Sequence, residues 1–357
     1  ITQSSNTYTK TYYLYIWLDE SETENISSGN ISVNMKGTSS NNPNLTTEAN
    51  MSLGDPGTLY YEIESSADKT TTINFAQTSA ASNTNGIYMT KDTDSGIPVY
   101  YYRGNVDNRV IFANFCWRIV RTTETGGVKL IYDGVPSNGQ CNNTGDNSTI
   151  GSSSFNTNSN DNAYVGYMFG TTGSSTYAST HANSNDSTIK GVIDTWYHNN
   201  LANSNGGNYS SYTTLGYGKN ATLYGPASRV GYKVSNPTPT LKCAQDNDKF
   251  TVSSNKGNGA LTYPVGMITA DEIIYAGADA NYSSNTSFYL YTGQGFWALS
   301  PYEFSGYACE FYLDSLDGLS RNTGIAVHGV RPSVSLQPGI AMTGGGSGTA
   351  ADPFVIG

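Results

Sequence analysis

The sequence predicts an all-β part followed by an α+β part. The first is an N-terminal β-sandwich over residues 1–97; the second, over residues 98–357, has antiparallel sheets and two helices. Three observations lead there. Tyr occurs 28 times, and Tyr joins strand propensity to apolar area and a polar tip. Short apolar runs bounded by Gly, Pro, Asn or Ser recur near both ends of the chain, the pattern of strands and turns. Two segments between them show helical spacing of apolar residues. A length of 357 residues suits about two domains, each able to bury a core.

From the N-terminus, "YYLYIWL" (Tyr12–Leu18) is apolar on both alternating faces, as a strand held between two layers is. "NISVNM", "LYYEIES" and "TTTINFAQ" follow as further expected strands, at a spacing that suits a sandwich. The turn-rich segment "SNTNGIYMTKDTDSGIP", Ser82–Pro98, reads as the link between domains. "VYYYRG" opens a second strand series. In it "RVIFANFCWRIVR" and "VKLIYDG" flank the turn "TTETGG" as a hairpin. Residues 134–186 are dominated by Ser, Asn, Thr and Gly and read as a surface excursion with little core of its own.

The first helix lies in "STIKGVIDTWYHNNLA". Ile189, Val192, Ile193, Trp196 and Leu201 recur near helical spacing after a cap at Asp186 or Ser187. Trp196 falls on the side of Ile189 and Ile193 and reads as core. The second is "ITADEIIYAGA", where Thr269 and Glu272 make a capping-box pattern and Gly277 a stop. Strands return in "SFYLYTG", "GFWALSP", "YACEFYLD", "GIAVHG" and "RPSVSL".

Charged residues are only 13% of the chain, against about a quarter in an ordinary soluble domain. Asn, Ser, Thr and Gly fill the gap, a neutral polar surface suited to an extracellular protein. The net charge of −10, with 18 basic residues thinly spread, offers no stripe to neutralise phosphates, so nucleic acid is not an expected partner. No apolar run reaches membrane-spanning length, and no signal peptide is present. The chain starts at Ile, as a mature form with its export signal removed would.

Four cysteines match no zinc spacing and no redox motif. Cys116, in a strand-like run, and Cys141, after a turn-rich segment, are expected to close a disulfide loop, with Cys243 and Cys309 as a possible second pair. Glycosylation triplets begin at Asn25, Asn30, Asn44, Asn50, Asn142, Asn147, Asn185, Asn208, Asn220, Asn281 and Asn285. A chain so rich in Asn, Ser and Thr also produces such triplets by chance.

The ordered set "YYYRG", "FCWRIVRTTETGGVKLIYDG", "STIKGVIDTWYHNNL", "GNGALTYPVGMITADEIIYAG", "YLYTGQGFWALSPYEF" and "GVRPSVSLQPG" resembles a group of surface proteins from anaerobic gut bacteria. Their C-terminal region has a C-type lectin-like fold, also carried by the variable proteins of diversity-generating retroelements and by formylglycine-generating enzymes. The resemblance covers about Val99 to Gly357. It implies an exposed binding face between Trp297/Ser300 and Arg331/Pro332. The order "DESET…SGNISV", then "SLGDPGTLYYEI", resembles TasA/camelysin-type bacterial fibre subunits, and no residue role follows from it.

Alternation in "YACEFYLD" sets Tyr307, Cys309, Phe311 and Leu313 on one face, the apolar one, and Ala308, Glu310, Tyr312 and Asp314 on the other, expected in solvent. The candidate ligand-binding residues are Tyr302, Glu303, Tyr307, Glu310, Tyr312, Asp314, Arg321 and Asn322. Trp297 reads as a core anchor, and Arg331 as a semi-buried Arg paired with a carboxylate or a carbonyl.

Catalysis has little support in the sequence. His181, His198 and His328 lie in no metal or triad pattern, and a nucleophile elbow, a P-loop and H-E-x-x-H are missing. Glu303, Glu310 and Asp314 could pair for glycoside hydrolysis, a minor alternative. "DTDSG" (Asp92–Gly96) lacks the later ligands of a calcium loop, so no metal or other cofactor is expected. The cysteine pair of the formylglycine-generating enzymes, and the Glu-Pro-Asn and Trp-Asn-Asp strings of calcium-binding lectins, have no counterpart.

The expected function is a surface-displayed adhesin or filament subunit whose partner is a protein or glycan on another surface. The alternative is a purely structural filament subunit, joined to neighbouring copies by donation of the strand in "TYTKTYYLYIWLDE".

Overall fold

The computed structural model describes residues 34–36, 46–48, 56–76, 86–202, 226–231, 234–243, 245–254, 257–279, 285–316 and 318–357. It is a mixed α+β structure. Strands β1 (Asn34–Lys36) and β2 (Thr46–Glu48) pair antiparallel. Helix α1 (Leu59–Ser66) follows, then β3 (Ile87–Thr90), β4 (Val99–Tyr102), β5 (Arg109–Phe112), β6 (Phe115–Thr122), β7 (Val128–Tyr132) and β8 (Ser152–Ser154). Next come β9 (Met168–Phe169), α2 (Tyr177–Thr180), β10 (Asn185–Asp186), α3 (Thr188–Tyr197), α4 (Pro226–Val230) and α5 (Ala270–Ala276). The chain closes with β11 (Phe296–Phe304), β12 (Ala308–Asp314), β13 (Gly318–Thr323), β14 (Val327–Gly329), β15 (Ser333–Leu336) and β16 (Phe354–Ile356).

Two sheets carry the architecture. A seven-stranded sheet runs β15-β7-β6-β4-β3, with β5 beside β6 and β16 parallel to β5. A five-stranded sheet runs β13-β12-β11-β14-β8, antiparallel except where β14 lies parallel to β11. One apolar core joins them, from Leu59 and Ile63 of α1 through Trp117, Ile193, Ile273 and Trp297 to Ile356.

The expected hairpin is present as β6 and β7, with Val128 opposite Thr122. "RVIFANFCWRIVR" is not one strand. Ala113 and Asn114 both take positive φ (55° and 61°), so β5 turns back onto β6 in a tight hairpin of type I′ geometry. Cys116 on β6 and Cys141 form the expected disulfide. Ser187 caps α3 by accepting the Lys190 N–H, and Trp196 is partly buried against Phe115, Trp117 and Tyr132. Val192, expected on the apolar side, is exposed.

Helix α5 carries the full capping box. Thr269 accepts the Glu272 N–H, and the Glu272 carboxylate accepts the Thr269 N–H. That carboxylate also takes Lys129 Nζ at 2.7 Å and Arg121 Nε at 2.8 Å, tying the helix to β6 and β7. Burial alone would raise Glu272, but the two cations hold it down to about 2. Arg331 is fully buried, its guanidinium 2.7 Å from Asp133 and bonded to the carbonyls of Tyr132 and Leu290. Trp297 is equally buried.

Several expectations change. "LYYEIES" is helix α1, because only a helix buries Leu59, Tyr60 and Ile63 together while Thr58 caps its N-terminus. "TTTINFAQ" forms no strand over its described residues. Asp68 captures the amides and hydroxyls of Thr70 and Thr71 and turns the chain there. The segment expected as a linker contains β3, which pairs with β4 from Ile87↔Tyr102 to Thr90↔Val99, so the 97/98 boundary falls between hydrogen-bonded strands. "SFYLYTG" is a turn that buries Phe288, Tyr289 and Leu290.

Residues 134–186 are also more than an excursion. Phe155, Tyr167 and Met168 enter the core, and β8 pairs with β14. Cys243 and Cys309 are separate buried thiols, not a disulfide. Cys243 is tied beside Asp94 and Gln245, whereas Cys309 lies on β12. "YYLYIWL" and the triplets at Asn25, Asn30, Asn44, Asn50, Asn208, Asn220 and Asn281 lie outside the described residues. Asn142, Asn147 and Asn185 are exposed; Asn285 is half-buried and bonded to the Gly277 carbonyl. Among the described residues no helix is long and apolar enough to cross a membrane.

Candidate recognition end of the five-stranded sheet

The local chemistry of β11 decides how the candidate residues are arranged. Pro301 offers no N–H to the ladder, and the register with β12 slips on both sides of it. Trp297 stands opposite Tyr312, Pro301 opposite Glu310 and Glu303 opposite Cys309. Beyond the irregularity, Tyr302 and Glu303 reach the same side chain. Arg321 of β13 lies 3.1 Å from Glu303 and 5.0 Å from the Tyr302 ring centre. The Tyr302 ring meets Phe311 edge-on at 4.9 Å.

The strand end next to this trio is apolar and open. Phe304 and Tyr307 flank the Ser305–Gly306 turn, and Tyr307 is 61% exposed. Residues 324–326 form the crossing from β13 to β14 and pass the start of β12. The Gly324 N–H bonds the Ala308 carbonyl there. Ile325 and Val327 are exposed as well, but Val327 opens β14, whose Gly329 pairs with Phe296 at the far end of β11 from Phe304.

Tyr312, Asp314 and Asn322 belong to a second cluster, assembled around His328 and Trp297. Tyr312 Oη lies 2.5 Å from Asp314 Oδ2, the Tyr312 and His328 rings stack at 4.1 Å, and Asn322 Nδ2 approaches His328 Nε2 at 3.0 Å. Trp297 meets His328 edge-on at 4.6 Å and donates its indole N–H to the Ser153 carbonyl. Burial lowers the His328 pKa and Asp314 opposes it. His328 was not among the candidate residues. Nothing in "GIAVHG" signals its position, which the parallel β14–β11 pairing creates.

Glu310 is the main correction. Alternation placed it in solvent with Ala308 and Tyr312, yet it is 0% exposed and both of those neighbours are buried. The segment 153–165 covers this side: Phe155 meets Trp297, the Asn156 N–H bonds the Gly324 carbonyl, and the Ala308 N–H bonds the Ser159 carbonyl. Tyr307, expected on the inward face, is the exposed one.

The eight candidates thus divide. Tyr302, Glu303, Tyr307 and Arg321 gather at the open end, Tyr312, Asp314 and Asn322 around His328, and Glu310 stands by itself. The three carboxylates do not converge. Glu303 is held by Arg321, Asp314 by Tyr312, and Glu310 is enclosed. Glu310 and Asp314 stand four residues apart on β12, roughly 13 Å between Cα atoms. Among the described residues no three His, Cys, Asp or Glu side chains gather as a cation would require.

No protein-family model matches the chain, and neither does a curated protein or a solved structure.

Proposed function

We propose that this chain is an extracellular, surface-displayed recognition protein, an adhesin or filament subunit. Residues from about Val99 to Gly357 take a C-type lectin-like arrangement and present the open end of the five-stranded sheet to a protein or glycan on another surface. One observation carries this reading: two exposed aromatic side chains, Phe304 and Tyr307, stand at the sheet end that Tyr302, Glu303 and Arg321 also occupy. Exposed aromatic side chains beside a partly exposed ion pair, on a charge-poor surface, support a contact site. Tyr and Arg are the side chains that most often dominate binding energy at contact sites.

The buried Cys116–Cys141 disulfide and the low charged fraction support an oxidising, extracellular setting. The test is capture on arrays of defined glycans and of cell-surface proteins, comparing the wild type with a Tyr302→Ala/Tyr307→Ala/Ile325→Ala variant. Capture should fall more than about tenfold with the melting temperature nearly unchanged. Equal capture by the two proteins would remove this end of the sheet as the site.

A further inference from the structure

Glu310 has no explanation in the packing of the fold. Its side chain is 0% exposed, and neither carboxyl oxygen has a hydrogen-bond partner. It lies directly beneath the backbone of Gly324: a Cβ built on that residue would sit 2.8 Å from Oε2 and 3.1 Å from Oε1. Gly324 begins the crossing that carries Ile325 and leads to Val327. Three backbone bonds hold that crossing in place: Gly324 N–H to Ala308 C=O at 3.1 Å, Asn156 N–H to Gly324 C=O at 3.0 Å, and Ala326 N–H to Thr323 C=O at 2.8 Å.

An ionised carboxylate in such a place would lack every compensation a buried charge needs. The surrounding elements supply none. On β13, Arg321 points to the other side with Glu303, and Asn322, opposite Glu310, spends its amide on His328 and the Thr323 N–H. On β11 the opposite residue is Pro301. On β14, His328 is engaged by Tyr312 and Asn322. In the covering segment, Asp161 takes the Ala163 and Gly173 amides and Tyr164 meets Phe169. On α5, Asp271 and Glu272 are bound by Arg229 and by Lys129 with Arg121. The neighbouring Cys309 thiol lies towards Arg321.

We propose that Glu310 is a proton-controlled latch on the recognition end. As the neutral acid it stays under Gly324 and the 323–327 crossing is closed; as the carboxylate it must reach water, which requires the crossing to lift. Ile325 and Val327 then lose their fixed places on the crossing. Burial, the sole influence on the group, raises it well above the ordinary glutamate range and so keeps it neutral in the closed form. The latch rests on the recognition reading for its purpose, though not for its operation.

Linkage sets the sign. The closed form binds the proton more tightly than the open form, so closure is favoured at low pH. It weakens as pH rises from the ordinary glutamate value towards the raised one. Over that interval the opening equilibrium should grow about tenfold per pH unit.

The experiment is amide hydrogen exchange on the whole chain across a pH series, read at Gly324, Ala326 and Asn156. After correction for intrinsic exchange, wild-type opening should rise about tenfold per pH unit, and Glu310→Gln should be flat. Equal slopes in the two proteins would overturn the latch. In parallel, the Glu310 side-chain carboxyl carbon of the wild type is titrated by NMR. A midpoint in the ordinary glutamate range would also overturn it, whether or not the variant folds. Neither readout involves a ligand. A flat slope in a protein that still captures its partner sinks the latch alone; lost support for capture leaves the latch standing.

Discussion

The Glu310 carboxyl and the Gly324 backbone are in such close contact that no side chain fits between them: an added methyl would lie 2.8 Å from Oε2. Gly324 has no need of glycine's conformational freedom, since its φ is not positive. Its size alone is required. Gly324→Ala should therefore cost about 1–3 kcal/mol through overpacking. Shortening the acid in Glu310→Ser should return part of that loss in the double variant. Chemical denaturation of the four proteins of the cycle measures the coupling, and strict additivity would show that the two groups do not meet.

The Glu272 carboxylate is the counter-example to Glu310, buried but paired. Glu272→Gln leaves Lys129 enclosed without its anion and weakens the capping box, so a loss of about 3–5 kcal/mol is expected. The pH dependence runs opposite to that of Glu310. A carboxyl held down to about 2 contributes stability above the ordinary glutamate range and loses it as pH falls towards about 2. Acid titration of unfolding free energy should show this component in the wild type and not in the variant.

Cys116 and Cys141 are 25 residues apart in sequence. Closing a loop of that length restricts the unfolded chain by about 3–4 kcal/mol in the chain-entropy account. Replacement of both cysteines by Ala should lower the denaturation midpoint accordingly. A reductant should match the double variant's loss only under conditions that expose the bridge, because both residues are fully buried.

Arg321 touches Glu303 and Tyr302 at an exposed site, so Arg321→Ala should change stability by less than about 1 kcal/mol. Its effect on capture should be much larger, since Tyr302 and Glu303 lose the group that orients them. A variant that binds as the wild type does would assign the contact energy to Phe304 and Tyr307 instead.

Helix α5, the cap of α3, the β6–β7 hairpin and the Cys116–Cys141 loop were all legible in the chain, because each is written in residues near one another. Thr269, Glu272 and Gly277 are a complete start and stop, and Ser187 caps whatever packs around it. The candidate site was legible only in part. Tyr302, Glu303 and Arg321 do touch, but the faces assigned from alternation in "YACEFYLD" failed because a distant segment covers one of them. His328 joined through a strand pairing that no local pattern announces.

What the sequence by itself determined is thus the set of local commitments: caps, tight turns, apolar runs and the loop closed by two cysteines. They rest on φ preferences and short-range hydrogen bonds, which need no partner from afar. Tertiary structure alone decided which side of each strand is dry. "YACEFYLD" alternates as a half-exposed strand should, yet the polar segment 153–165 folds over its outer side. Burial depends on what arrives from elsewhere in the chain, and so Glu310, read as a solvent-facing acid, is the most enclosed carboxyl of the recognition end.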